Sequence, residues 1–385
     1  MAAIHLPRTI RIGGGVLNEL PEALVAAGLS RPLIVTDAWI AGCGILERVE
    51  GLLAKAGMPV RTFTGVVPDP TVASTETGCA FLAGGDHDCV IGLGGGSPID
   101  SAKMIAVKRD RAIAVSDLKA PHQEDAAGLP VIAIPTTAGT GSEATRFTII
   151  TDTETDEKML CAGLAYLPQI ALVDYELTLT KPARLTADTG IDSLVHAIEA
   201  YVSKRANPFS DSMALSAMRL IWPNLPRACA DPGDRAAREA LMLGALQGGI
   251  AFSNSSVALV HGMSRPIGAH FHVAHGLSNA MLMPLVTAWS APAALPRYAA
   301  CARAMGVAAE QESDQGAVGR LVEALEQVNS DLQVPTPAAY GIAKARWDEL
   351  IPLMASQALA SGSPGNNPRV PELNEIEDLY RQAWG

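Results

Sequence analysis

A chain of 385 residues, 48% hydrophobic and 18% charged, is long enough for two buried cores and too apolar to stay disordered. Its net charge of −11 excludes the basic stripe that a phosphate backbone requires, so no nucleic-acid partner is expected. No apolar run reaches the roughly 18 residues of a membrane span, so no membrane partner is expected either.

The first eight residues lack the basic, apolar and small-residue zones of a signal peptide. The six cysteines are scattered with no CxxC pair, which points to reduced thiols and a cytoplasmic location. Strand candidates then fall at 31–37, 60–66, 89–93 and 129–134, with helical stretches at 44–56, 71–84 and 98–108. Such alternation predicts a mostly parallel sheet covered on both faces. A hairpin over 146–152 and 158–161 is expected as an addition to that sheet, and 169–174 reads as its last strand. Beyond residue 185 strand signals stop, and Ala/Leu/Met-rich helical patterns run at 189–204, 209–225, 234–252 and 317–328. The expected organisation is an α/β dinucleotide-binding domain over 1–180 and an all-α metal-binding domain over 181–385. A loop at 361–368 precedes a last short helix.

The strand at 89–93 runs straight into Gly94-Gly95-Gly96-Ser97-Pro98-Ile99-Asp100. Glycines let a ligand approach the backbone, and the following helix offers free N–H groups to a pyrophosphate. A second loop rich in glycine and hydroxyls, Pro135-Thr136-Thr137-Ala138-Gly139-Thr140-Gly141-Ser142-Glu143, follows the fourth strand. Either loop alone could be a plain turn, but ligands gather at the carboxyl ends of parallel strands. Asp37, closing the first strand candidate, is placed to accept from a ribose and to repel a 2′-phosphate, favouring NAD. The alternative reading is an ordinary helix N-cap. Because this acid precedes the glycine run, the arrangement is not the usual dinucleotide fingerprint.

Five of the eight histidines fall in two short segments. Asp192 and His196 stand four apart and would share one helix face. His261, His270, His272 and His275 follow around a Pro/Gly break. One carboxylate with imidazoles suits Fe²⁺, Zn²⁺ or Co²⁺. Such a site alone also suits a hydrolase, a non-haem oxygenase or a structural metal, but none of these uses a dinucleotide cradle.

Over essentially its whole length the chain resembles the iron-containing alcohol dehydrogenase family. Residues 94–100 are similar to its GGGSxxD loop, 135–143 to its PTTAGTGSE stretch, and 189–203 to its TGxDALxHAIEAYxS segment. Further likeness lies at 207–211, 251–254, 261–276 and 367–369. The resemblance implies a metal, Fe²⁺ or Zn²⁺, held by Asp192, His196, His261 and His275 in a cleft between the domains. It implies NAD contacts from Asp37, Asp69, Gly95, Gly96, Ser97, Asp100, Thr136, Thr137, Thr140 and Lys158. The activity implied is a metal-dependent, NAD-linked alcohol dehydrogenase or aldehyde reductase, working as a homodimer or larger homo-oligomer. A lyase or transhydrogenase of the same architecture is the alternative. Where relatives usually carry histidine four residues after the third ligand, this chain has Arg265. It either turns into an ion pair or binds an anionic group on the substrate. Arg265 and His272 are the candidate catalytic residues, while His270 and His272 also suit outer-shell or solvated positions. Ser361 stands where an aspartate is expected.

Overall fold

The computed structural model describes residues 2–109 and 111–385. The chain forms two compact units, one of His5–Lys181 and one of Pro182–Gly385, the latter including the N-terminal residues up to Ile4.

In the first unit β1 (Thr9–Ile12), α1 (Leu20–Ala26), β2 (Pro32–Asp37), α2 (Ala38–Gly42), α3 (Ile45–Lys55) and β3 (Arg61–Val66) come in order. They are followed by α4 (Val72–Ala83), β4 (Cys89–Gly94), α5 (Gly96–Lys108), β5 (Val131–Pro135), β6 (Phe147–Asp152), β7 (Glu157–Ala162) and β8 (Ile170–Val173). Six strands form one sheet in the order β1-β8-β5-β4-β2-β3, with every neighbouring pair parallel. Burial on both faces explains the continuous apolar runs. Along β2, Ile34 packs with Leu17, Leu24, Val49 and Leu53 on one side. Leu33 and Val35 pack with Ala102 and Ile105 of α5 on the other. After β3 the chain returns past β2 to β4 and then winds the opposite way. The reversal opens a crevice at the carboxyl ends of β2 and β4, where open sheets bind ligands.

The sheets depart from the sequence expectation in two places. The hairpin does not join the main sheet: β6 and β7 pair with each other as a separate two-stranded sheet. Its apolar side chains, Ile150, Met159 and Cys161, are spent on Met104 and Val107 of α5, which holds it over that helix. The sequence reading also missed β1, a four-residue strand with no fully buried position. Its Arg11 is paired with Glu19 and Glu22.

The second unit is built from helices. They are α6 (Ala183–Val202), α7 (Pro208–Ala230), α8 (Arg235–Ser253), α9 (Leu259–Phe271) and α10 (His275–Ser290), then α11 (Leu295–Met305), α12 (Asp314–Asp331), α13 (Pro337–Tyr340), α14 (Lys344–Ala360) and α15 (Leu373–Ala383). Among the described residues none is long and apolar enough to cross a membrane. The central α6 is buried along most of its length. Small residues let its neighbours close in: a Cβ on Gly276 of α10 would lie 2.3 Å from the Asp188 carbonyl oxygen of α6. The Pro/Gly break expected within 261–276 also moves. Helix α9 runs through Pro266 and ends at His272, whose φ of 54° is left-handed.

Close approach also fixes the first glycine loop. A Cβ at Gly92 in β4 would sit 3.0 Å from both Cα of Ile99 and Cβ of Ala102 in α5. We expect Gly92→Val to cost about 1–3 kcal/mol by overpacking. Urea unfolding measures this, and an unchanged midpoint would show that strand and helix are free to separate.

Candidate metal and cofactor sites

The metal candidates come from three helices of the second unit. Asp192 and His196 lie one turn apart on α6, His261 lies in the first turn of α9, and His275 is the first residue of α10. Their ligand atoms all lie within 4.8 Å of one another. From Asp192 Oδ1 the distances are 3.9 Å to Nε2 of His196, 3.6 Å to Nε2 of His261 and 3.7 Å to Nε2 of His275. Atoms about 2.1 Å from one tetrahedral ion stand roughly 3.4 Å apart, so a small inward movement completes the shell. Asp192, His196 and His261 are buried, and His275 keeps its side chain 35% exposed. The ring of His196 is stacked between Phe252 and His261, which limits its rotation.

Two residues that the sequence reading did not single out complete the arrangement. Glu199, one turn beyond His196, accepts from the backbone N–H of Ala258 and Val260 and lies 2.7 Å from Nδ1 of His261. A carboxylate already accepting two N–H groups leaves Nδ1 of His261 as the donor. That turns the lone pair of Nε2 toward Asp192. Asn279, one turn after His275, donates from Nδ2 to Asp192 Oδ1 at 2.7 Å. The same Nδ2 lies 3.2 Å from Nε2 of His261 and 3.3 Å from Nε2 of His275. Its own Oδ1 is buried without a partner. A single amide NH₂ cannot satisfy a carboxylate and three imidazoles, so the cluster is short of positive charge. A divalent cation would supply it, and the residues fit one. Burial alone would push the Asp192 carboxyl up, but His196, His275 and His261 hold it well below the usual carboxylate range. The signal for both missed residues was spacing: Glu199 follows His196 by three, and Asn279 follows His275 by four.

In the first unit, three adjacent strands bring the cofactor candidates to one edge. Gly95 caps the N-terminus of α5, with Gly96 and Ser97 in its first turn. The second loop lies directly on the first. Thr136 donates its N–H to the Gly94 carbonyl. A Cβ at Gly96 would come within 2.9 Å of Thr140 Cγ2, and one at Gly95 within 3.5 Å of Thr137 Oγ1. The buried Thr136 Oγ1 has no partner, as at a site still open to a ligand. Lys158 of β7 and Asp69, which has a φ of 50°, form an ion pair at 2.8 Å.

Asp37 and Asp100 both accept hydrogen bonds from within the first unit. Asp37 accepts from Ile40 N–H and caps α2. Asp100 accepts from Ser142 Oγ at 2.6 Å and Ile149 N–H at 3.0 Å, tying the second loop and the hairpin to α5. Beneath them the fully buried Lys103 donates to the carbonyls of Thr145 and Phe147. Burial pushes Lys103 down to about 8 and the nearby Glu143 up to about 7. Beyond Asp37, the half-exposed Trp39 carries the ammonium of Lys181 3.6 Å from its ring centre.

Arg265 is buried on α9, one turn after His261, and donates to Ser363 Oγ at 2.9 Å. His270 meets Gln357 at 2.8 Å. His272 is exposed at the end of α9. Ser361 bonds within its own turn, to the Ala358 carbonyl and the Ser363 N–H.

Residues 7–175 match the family model described as iron-containing alcohol dehydrogenase, and residues 186–384 match the C-terminal model of the Fe-containing alcohol dehydrogenase family. The chain belongs to the iron-containing alcohol dehydrogenase family. Within that family it is 35% identical over 383 residues to the NAD-dependent methanol dehydrogenase of Bacillus methanolicus, with all of both chains covered. A crystal structure of 1,3-propanediol oxidoreductase superposes with a TM-score of 0.94 at 32% identity, again covering both chains completely. The sulfoacetaldehyde reductase of Bifidobacterium kashiwanohense, in complex with NAD⁺, gives 0.88 at 26% identity, covering 100% of this chain and 99% of its own.

Both added residues can be tested on the metal directly. Glu199→Gln and Asn279→Ala should each weaken Zn²⁺ or Fe²⁺ affinity by about 10–100-fold, the usual effect of removing an outer-shell partner. Competition with a chelator reads this out, and unchanged affinity would remove both residues from the site.

Proposed function

We propose that this protein is a metal-dependent, NAD-linked alcohol dehydrogenase that also reduces aldehydes or ketones in the reverse direction. The observation that carries the reading is the convergence of Asp192, His196, His261 and His275 in a chain that also holds two interlocked loops at the carboxyl ends of β4 and β5. A hydrolase, an oxygenase or a structural metal site would use only the first of these. The family relatives include enzymes named for NAD-dependent alcohol oxidation and for aldehyde reduction. A lyase or transhydrogenase reading is not favoured by them.

When bound, a divalent metal supplies a Lewis acid for the substrate oxygen, and nicotinamide supplies the hydride donor or acceptor. The chain's own share is binding and orientation. Asp192, His196, His261 and His275 would hold the ion, with Glu199 fixing the tautomer of His261. Gly95, Gly96 and Ser97 would present the N–H groups of the α5 N-terminus to the pyrophosphate, and Thr136, Thr137 and Thr140 would close over it. Asp37 and the Asp69–Lys158 ion pair would serve the rest of the dinucleotide. The Asp37 carboxylate favours NAD over NADP, while Lys181 offsets part of its charge. A small alcohol or aldehyde is the substrate, and the lone guanidinium of Arg265 favours one with an anionic group. Six free cysteines suit a reducing, cytoplasmic setting.

Anaerobic reconstitution with Fe²⁺ or Zn²⁺, followed by NADH absorbance with a panel of aldehydes, tests the reading. Turnover should require metal, and Asp192→Asn should lower kcat by about 10³-fold or more, the scale of a lost Lewis acid. Metal-independent turnover, or NAD binding without any aldehyde reduction, would move the assignment to another reaction of the same fold.

A further inference from the structure

Arg265 is a buried cation on α9, one helical turn after the metal candidate His261. Its residue is 8% exposed. Among the described residues it makes one hydrogen bond, to Ser363 Oγ, and no ion pair. A guanidinium has five N–H donors in a rigid fork, and a buried one is costly unless an acceptor of opposite charge meets it. Glu199 influences it through space, yet that carboxylate is already occupied by Ala258 N–H, Val260 N–H and His261 Nδ1. The cation therefore has no protein counter-ion.

Its position gives the missing acceptor an identity. Arg265 lies one helical turn after the ligand His261 on α9, so the two side chains leave the helix on the same face about 5–6 Å apart. The 363–364 tail lies against that turn, since a Cβ at Gly262 would stand 2.7 Å from Pro364 Cγ. Ser363 thus adds a hydroxyl beside the guanidinium. With a divalent ion on Asp192, the charges of Asp192, Glu199 and Arg265 leave one net positive charge. A neutral alcohol leaves it uncompensated, whereas a monoanion cancels it.

We propose that Arg265 and Ser363 form an anion subsite one helical turn from the metal cluster, selecting short-chain oxo acids or hydroxy acids of carboxylate or sulfonate type. The inference rests on the alcohol dehydrogenase reading. The separation along α9 limits the spacer between carbonyl and anion to roughly one to three carbons. In this subsite the guanidinium offers paired N–H donors to two anion oxygens, and the Ser363 hydroxyl orients the fork.

The test compares aldehydes matched in length, 3-oxopropanoate with propanal and 4-oxobutanoate with butanal, using metal-loaded enzyme and NADH. The wild type should favour the anionic member by at least tenfold in kcat/KM. Arg265→Gln should lower kcat/KM about 100-fold more for 4-oxobutanoate than for butanal, and Arg265→Lys should recover part of that difference. Calorimetric binding of butanoate to the metal-loaded protein supplies a readout independent of turnover, present in the wild type and lost in Arg265→Gln. Equal losses for both aldehydes, with metal content and circular dichroism unchanged, would make Arg265 a structural cation and overturn the subsite. Turnover of butanal with no preference for the anion would also overturn it, yet leave the dehydrogenase reading standing. Absence of all turnover would defeat that reading, and butanoate binding would still decide the subsite.

Discussion

The convergence of the candidate metal ligands depends on burying the carboxylate of Asp192 among three imidazoles drawn from different helices. A lone carboxylate in that position would be neutralised by a proton rather than stay charged. Here Asn279 gives it an amide donor, and a divalent cation held with the three imidazoles would supply the positive charge that keeps it ionised. The surrounding helices are shaped to permit this. Gly276 lets α10 approach the Asp188 carbonyl, which carries His275 up to α6. Glu199 accepts from the start of α9 and from His261, so the same acid that anchors the helix also orients the imidazole of that candidate ligand.

The α/β unit solves a different problem with similar means. A dinucleotide needs backbone N–H groups at close range, and Cβ atoms at Gly95 and Gly96 would fill that space with contacts to Thr137 and Thr140. Beneath the loops, Lys103 and Asp100 tie α5 to the second loop and to the hairpin. The hairpin is therefore a brace for the cradle. Its burial against Met104 and Val107 makes the position of one loop depend on the other.

Much of this was legible in the sequence because both faces of the parallel strands are buried, which turns β2, β4, β5 and β8 into unbroken apolar runs. The glycine loops and the Asp192–His196 spacing were equally plain, since each is confined to a few consecutive residues. What escaped was set by tertiary context. β1 is a short edge strand whose residues are nowhere fully covered, so it lacks a burial pattern. The hairpin's independence from the main sheet follows from which helix its apolar side chains meet, and no local pattern states that. Glu199 and Asn279 sit at helical spacing from ligands, but their partners lie 62 and 87 residues away for the bonds to His261 and Asp192. Asp37 and Asp100 show the converse: residues chosen as cofactor contacts also hold local structure together, as a helix cap and a loop tie.

The most direct test of the central claim is a crystal structure of the metal-loaded protein with diffraction recorded on both sides of the Fe or Zn absorption edge. The account predicts one anomalous peak bound by Asp192, His196, His261 and His275, with Glu199 still hydrogen-bonded to Nδ1 of His261. A peak elsewhere in the chain, or one at this cluster with any of the four side chains turned away, would contradict it.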